Sequence, residues 1–122
     1  MIYETFKVKD KEYKLRLRAR DIVDLERRLG NRSPLDVFMG MQNNSVPKLG
    51  DLILFLHASM QAFHHNIKME DIYDIYDEYV EDGGSYMSLM MVIMDVFKVS
   101  GFFTDEQLEA AEAKEGEPNE KN

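Results

Sequence analysis

The sequence predicts an α+β domain, an N-terminal two-stranded β-hairpin followed by about five mostly amphipathic helices. Three observations predict it. Apolar and polar residues alternate with period two through the first 19 residues. From Asp21 the apolar spacing lengthens to that of a helix. Glycine, proline and serine then divide the remaining chain into segments of helical length.

The first strand covers residues 2–8, where Ile2, Phe6 and Val8 share a face. Lys9-Asp10-Lys11-Glu12 reads as a polar turn. Residues 13–19 return, with Tyr13, Leu15, Leu17 and Ala19 on one face and Lys14, Arg16 and Arg18 on the other. A lone hairpin is not stable in water, so its apolar face must lie on the helices.

The first helix carries Ile22, Leu25 and Leu29 and stops at Gly30. Ser33-Pro34 reads as an N-cap and first helical residue, with Leu35, Phe38 and Met41 facing inward. After the Asn43–Pro47 loop, a third helix is expected from about Lys48 to His64. Its stripe is Leu49, Leu52, Ile53, Leu56, Met60 and Phe63. A fourth is expected from about Met69 to Glu81, with Ile72, Ile75, Tyr76, Tyr79 and Val80 inward and the acids outward. Ser85 caps a fifth, from about Tyr86 to Val99, built on Leu89, Ile93 and Phe97. Thr104 and Gln107 form a capping box for a short last helix ending near Lys114, with Phe103 placed to staple against Leu108. Residues 1–114 thus read as one domain, and residues 115–122 as a disordered acidic tail.

A chain of 122 residues with 44 % hydrophobic content is long enough to bury a core unaided. It has no cysteine, which excludes disulfides and thiol chemistry. No apolar run approaches the ~20 residues of a membrane span. A cytoplasmic, non-membrane protein is expected. The net charge of −8 is unevenly distributed. Residues 1–20 hold seven Lys/Arg and three acids, residues 70–82 hold seven acids and no base, and residues 104–122 hold seven acids and two bases.

No candidate catalytic, cofactor or metal site emerges. His57 and His64 lie two helical turns apart, about 10 Å along the axis, too far to share a metal without a ligand between. His65 points elsewhere. Asp71, Asp74, Asp77 and Glu78 fall opposite the apolar stripe, as a solvated helix face does. Ser59 lies in no glycine-bounded elbow, and Gly83-Gly84 is a turn between helices rather than a phosphate loop. No enzyme is expected. The stripe Lys14, Arg16, Arg18, Arg20 lacks the interleaved aromatics of a single-strand binder, so nucleic acid is not the expected partner.

The methionines are more informative. Nine occur in the chain, and Met87, Met90, Met91 and Met94 crowd the fifth helix beside Leu89, Val92 and Ile93. A helix apolar almost all round is either central to the core or covered by a partner, and both readings stand at this point. Methionine surfaces adapt to varied apolar ligands.

The order of motifs resembles a known family. Lys11-Glu12-Tyr13-Lys14-Leu15-Arg16-Leu17 leads into Leu25-Glu26-Arg27-Arg28-Leu29-Gly30, then Ser33-Pro34-Leu35, a helix after Val46-Pro47, and Met69-Glu70-Asp71-Ile72-Tyr73. Over about residues 3–100 this is similar to the tail assembly chaperones of long-tailed (siphovirus-type) bacteriophages and prophages. The resemblance implies a non-enzymatic protein that binds the tape-measure protein, keeps it in solution and helps the tail-tube protein assemble on it. It brings no catalytic residues and no cofactor. Two alternatives stay open: another phage structural adaptor of the head–tail connector type, and a small nucleic-acid-binding regulator using Arg16, Arg18 and Arg20.

The opposed charges carry a further expectation, a homo-oligomer in which the basic residues Lys14, Arg16 and Arg18 of one copy meet Asp71, Asp74 and Glu78 of the next. Met87, Met90, Met91 and Met94 are the expected partner-binding residues.

Overall fold

A computed structural model describes residues 2–40 and 46–116. The chain forms β1 (Glu4–Val8), β2 (Lys11–Leu15), α1 (Ala19–Arg28), α2 (Pro34–Met39), α3 (Leu49–Met60), α4 (Met69–Glu81), α5 (Tyr86–Val99) and α6 (Asp105–Gly116). A two-stranded antiparallel hairpin followed by helices is the α+β architecture expected. Met41, and the tail from residue 117, lie outside the described residues.

The hairpin is tighter than the composition of its turn suggests. Val8 pairs with Lys11 and Lys7 with Glu12, so only Lys9 and Asp10 remain in the turn. Lys9 takes a left-handed φ of 57°, as two-residue hairpin loops require. Phe6, Val8, Tyr13, Leu15 and Leu17 are buried. Ile2, assigned to the same face, precedes the strand and is exposed. The chain leaves the ladder after Leu15, and Ala19 opens α1 instead of ending the strand.

Helix α3 is the centre of the fold, in contact with α1, α2, α4, α5 and β2. Its sequence explains this: Leu52, Ile53, Phe55, Leu56, Ala58 and Met60 are all buried, leaving little of its circumference polar. The buried hydroxyl of Ser59 donates to the Phe55 carbonyl at 2.7 Å, so it enters the core satisfied. An aromatic chain of Phe38, Phe55, Phe97 and Phe102 joins α2, α3, α5 and the segment after α5, with centroids 4.6–6.2 Å apart between neighbours.

Three helix starts share one device. The carboxylates of Asp21, Asp51 and Asp71 accept the backbone N–H three residues earlier, from Arg18, Lys48 and Lys68, at 3.0, 3.2 and 2.9 Å. Ser33 occupies the N-cap of α2 without a side-chain cap bond, contrary to expectation, and Pro34 opens that helix. The Thr104–Gln107 capping box is present, with bonds of 2.8 and 3.1 Å. Helix α3 ends at Met60 instead of His64, and Leu49 at its start is exposed. On α4, Val80 faces solvent instead of the core. Helix α6 reaches Gly116, past the expected end near Lys114.

Candidate protein-binding surface

Helix α5 begins with a reciprocal cap. Ser85 Oγ accepts the Ser88 N–H at 3.0 Å, and Ser88 Oγ accepts the Ser85 N–H at 2.8 Å. From this fixed start two apolar faces run along the helix. Leu89, Ile93, Val96 and Phe97 are fully buried against the core. Met87, Met90, Met91 and Met94 stand at positions i, i+3, i+4 and i+7, roughly 120° around the helix from that ridge. Met90 and Met94 are half-buried against the core, whereas Met87 and Met91 are 62 % and 70 % exposed.

Helix α5 thus combines a ridge buried in the core with two exposed methionines, Met87 and Met91. The central position belongs to α3, which the chain wraps on all sides. The Tyr86 hydroxyl donates to the Pro47 carbonyl and ties the start of α5 to the start of α3. Val46 and Leu49, on either side of Pro47, are also exposed.

The basic residues of β2 and its exit have mostly internal partners. Arg16 Nη1 donates to the carbonyls of Ile2 and Val99 at 3.0 and 3.1 Å. Arg18 grips the buried Asp21 carboxylate at 2.8 and 3.1 Å. Lys14 Nζ lies over the rings of Tyr3 and Phe63, 5.0 and 5.6 Å from their centroids. Arg20 is exposed. Among the acids, Asp71 caps α4, Glu78 is half-buried and Asp74 is exposed. The residues expected to meet between copies are thus largely engaged within one copy.

The histidines support the hairpin and α1. His64 Nε2 accepts the Lys14 N–H at 2.9 Å. His57 Nδ1 accepts from Arg28 at 3.1 Å, and its Nε2–H donates to the Ile67 carbonyl at 3.2 Å. Burial, then the neighbouring cation, lowers both imidazoles below the ordinary value of 6.5: Arg28 acts on His57 and Lys14 on His64. His65 is exposed. Among the described residues, no three His, Cys, Asp or Glu side chains are grouped to hold a metal ion. A cavity of about 380 Å³ lies between the α1–α2 turn and the start of α3, bordered by Arg32, Asp36, Lys48 and Asp51. Its polar groups serve local structure, since Arg32 Nε donates to the Leu29 carbonyl at 2.8 Å and Asp51 caps α3.

Residues 2–120 match a family of unknown function, DUF6096. The chain belongs to that family. No curated protein and no solved structure matches it significantly. Membership in that family carries no known activity.

Among the described residues, no helix is long and apolar enough to cross a membrane. Sequence reasoning placed Leu49 on the buried stripe of α3, whereas it is exposed at the start of that helix. It also treated the four methionines as equivalent. Helical phase relative to Leu89 and Ile93 separates the outward pair from the inward pair.

Proposed function

We propose that this protein is a non-enzymatic tail assembly chaperone of a long-tailed bacteriophage or prophage. It acts in the host cytoplasm, binds the tape-measure protein and aids assembly of the tail-tube protein. The observation that carries the binding role is the exposure of Met87 and Met91, one turn apart on a helix whose opposite ridge is fully buried. Burying an apolar side chain of this size contributes about 1.5–3 kcal/mol, so an ordered stripe left in water is a surface suited to a partner. Methionine side chains repack around different apolar shapes, as a chaperone of a long helical protein requires. The naming of that partner rests on the motifs from Lys11 to Gly30 and from Met69 to Tyr73.

The test is co-expression with the tape-measure protein proposed as its partner. The partner stays in solution with the native chain and is lost to the pellet with Met87→Gln/Met91→Gln, while the variant itself keeps its helical circular dichroism and melting temperature. A double variant that still holds the partner in solution would place the binding surface elsewhere. A partner equally soluble without this chain would remove the chaperone role.

A further inference from the structure

We propose that copies of this chain associate through α1 of one copy and α4 of the next. The outward face of α4 carries Tyr73, Asp77 and Val80, spaced i, i+4, i+7, with Tyr73 55 % and Val80 44 % exposed. Glu70, Asp74 and Glu81 border it, and all are exposed. The outward face of α1 carries Arg20, Val23 and Arg27 at the same kind of spacing, with Val23 47 % exposed. One face sets Tyr73 and Val80 among acids, with Asp77 between them, and the other sets an apolar side chain between two arginines.

The two faces do not satisfy each other within one chain, where α1 and α4 meet through Arg28 and Met69. Arg16 and Arg18, just before α1, already hold internal partners. At the far end of α4, Glu81 and Asp82 are bound to Lys9 of the hairpin tip. That pair too is exposed, and Asp71 is held as the cap of α4, so Glu70, Asp74 and Asp77 are the exposed acids of this face that hold no cap or Lys9 contact among the described residues. Arg27 does pair with Asp24 on its own helix, at 3.6 Å, but both side chains are more than half exposed. Such a pair is screened by water and holds its arginine weakly.

Val23 lies in a shallow trough along α1 lined by Arg20, Asp24, Arg27 and Gln61, which continues past Glu26 to Arg32. A helix laid in that trough with Tyr73 toward Val23 sets the guanidinium groups of Arg20 and Arg27 against the carboxylates of Asp74 and Asp77 and the ring of Tyr73. The contact joins two different patches, so it is heterologous and builds closed rings or longer chains of copies. It stands on the charge and exposure of these two helices, independently of what the methionine face binds.

The mass of the full chain in solution, measured by light scattering on a sizing column, tests this. Association is expected at about 0.05 M salt and reversal toward monomer at about 1 M salt, where screening acts within ~3 Å. Arg20→Glu/Arg27→Glu and Asp74→Lys/Asp77→Lys each weaken association at least about tenfold, or ~1.4 kcal/mol. Mixing the two variants restores association, because one retains the native α4 face and the other the native α1 face. Circular dichroism confirms that each variant is folded. A chain that is monomeric at low salt overturns the proposal, as does a mixture of folded variants that stays monomeric.

Discussion

The backbone N–H of Lys14 donates to the imidazole Nε2 of His64 at 2.9 Å. This N–H lies on the side of β2 turned away from β1. The next outward N–H, of Arg16, donates to the Ser59 carbonyl at 2.9 Å. The end of α3 and the turn that follows it thus close one edge of the hairpin, and a neutral histidine is part of the closure.

Stability therefore falls with acid. His57 and His64 titrate below 6.5 in the folded chain and near 6.5 when unfolded. Below that pH the unfolded state binds more protons, so stability is full above about 6.5 and is lost as pH falls toward the depressed values. Thermal melts at about pH 7.5 and about pH 5 should show the lower midpoint in acid. The double variant His57→Gln/His64→Gln should lose part of that difference. An unchanged difference would assign the acid sensitivity to other groups.

Gly84 and Gly50 should respond oppositely to alanine. A Cβ on Gly84 would stand 2.5 Å from the Tyr79 ring, whereas one on Gly50, in the first turn of α3, would meet nothing within 4 Å. Gly84→Ala should destabilise by about 1–3 kcal/mol, and Gly50→Ala should be neutral or stabilise by up to about 1 kcal/mol. Urea midpoints of the two variants check this, and a matching loss in both would contradict it.

The central role of α3 predicts a steep contrast in cost. Phe55 is fully buried between Phe38 and Phe97. Phe55→Ala should cost about 3–5 kcal/mol, against roughly 0.5 kcal/mol or less for Met91→Ala on the outward face of α5. Comparable losses in denaturant melts would mean that Met91 belongs to the core.

The arginines should separate in the same manner. Asp21 is buried, caps α1 and holds Arg18. Asp21→Ala should therefore cost about 1–3 kcal/mol, while Arg20→Ala should stay within about 0.5 kcal/mol. A costly Arg20→Ala with a harmless Asp21→Ala would reverse the roles given to these residues.

Much of this fold is legible in the sequence where periodicity and breaks agree. The bounds of α4 and α5 follow from an apolar stripe, the Gly83-Gly84 break and the Ser85 cap. The centrality of α3 is less legible, because a stripe drawn through Leu52, Ile53 and Leu56 leaves out Phe55 and Ala58, which are equally buried. Arg16 reads as a solvated strand residue, yet it donates to Val99, 83 positions away. Alternation places a side chain on a face but does not reveal what tertiary packing brings to that face. The methionine stripe is legible as a spacing, and its division into buried and exposed pairs needs the packed core beside it.

Methyl resonances of the methionines, recorded on the labelled chain with and without the tape-measure protein, test the central claim most directly. Met87 and Met91 should shift or broaden on binding, while fully buried Met60 should not. Binding that leaves Met87 and Met91 unperturbed, or no binding at all, would contradict the account.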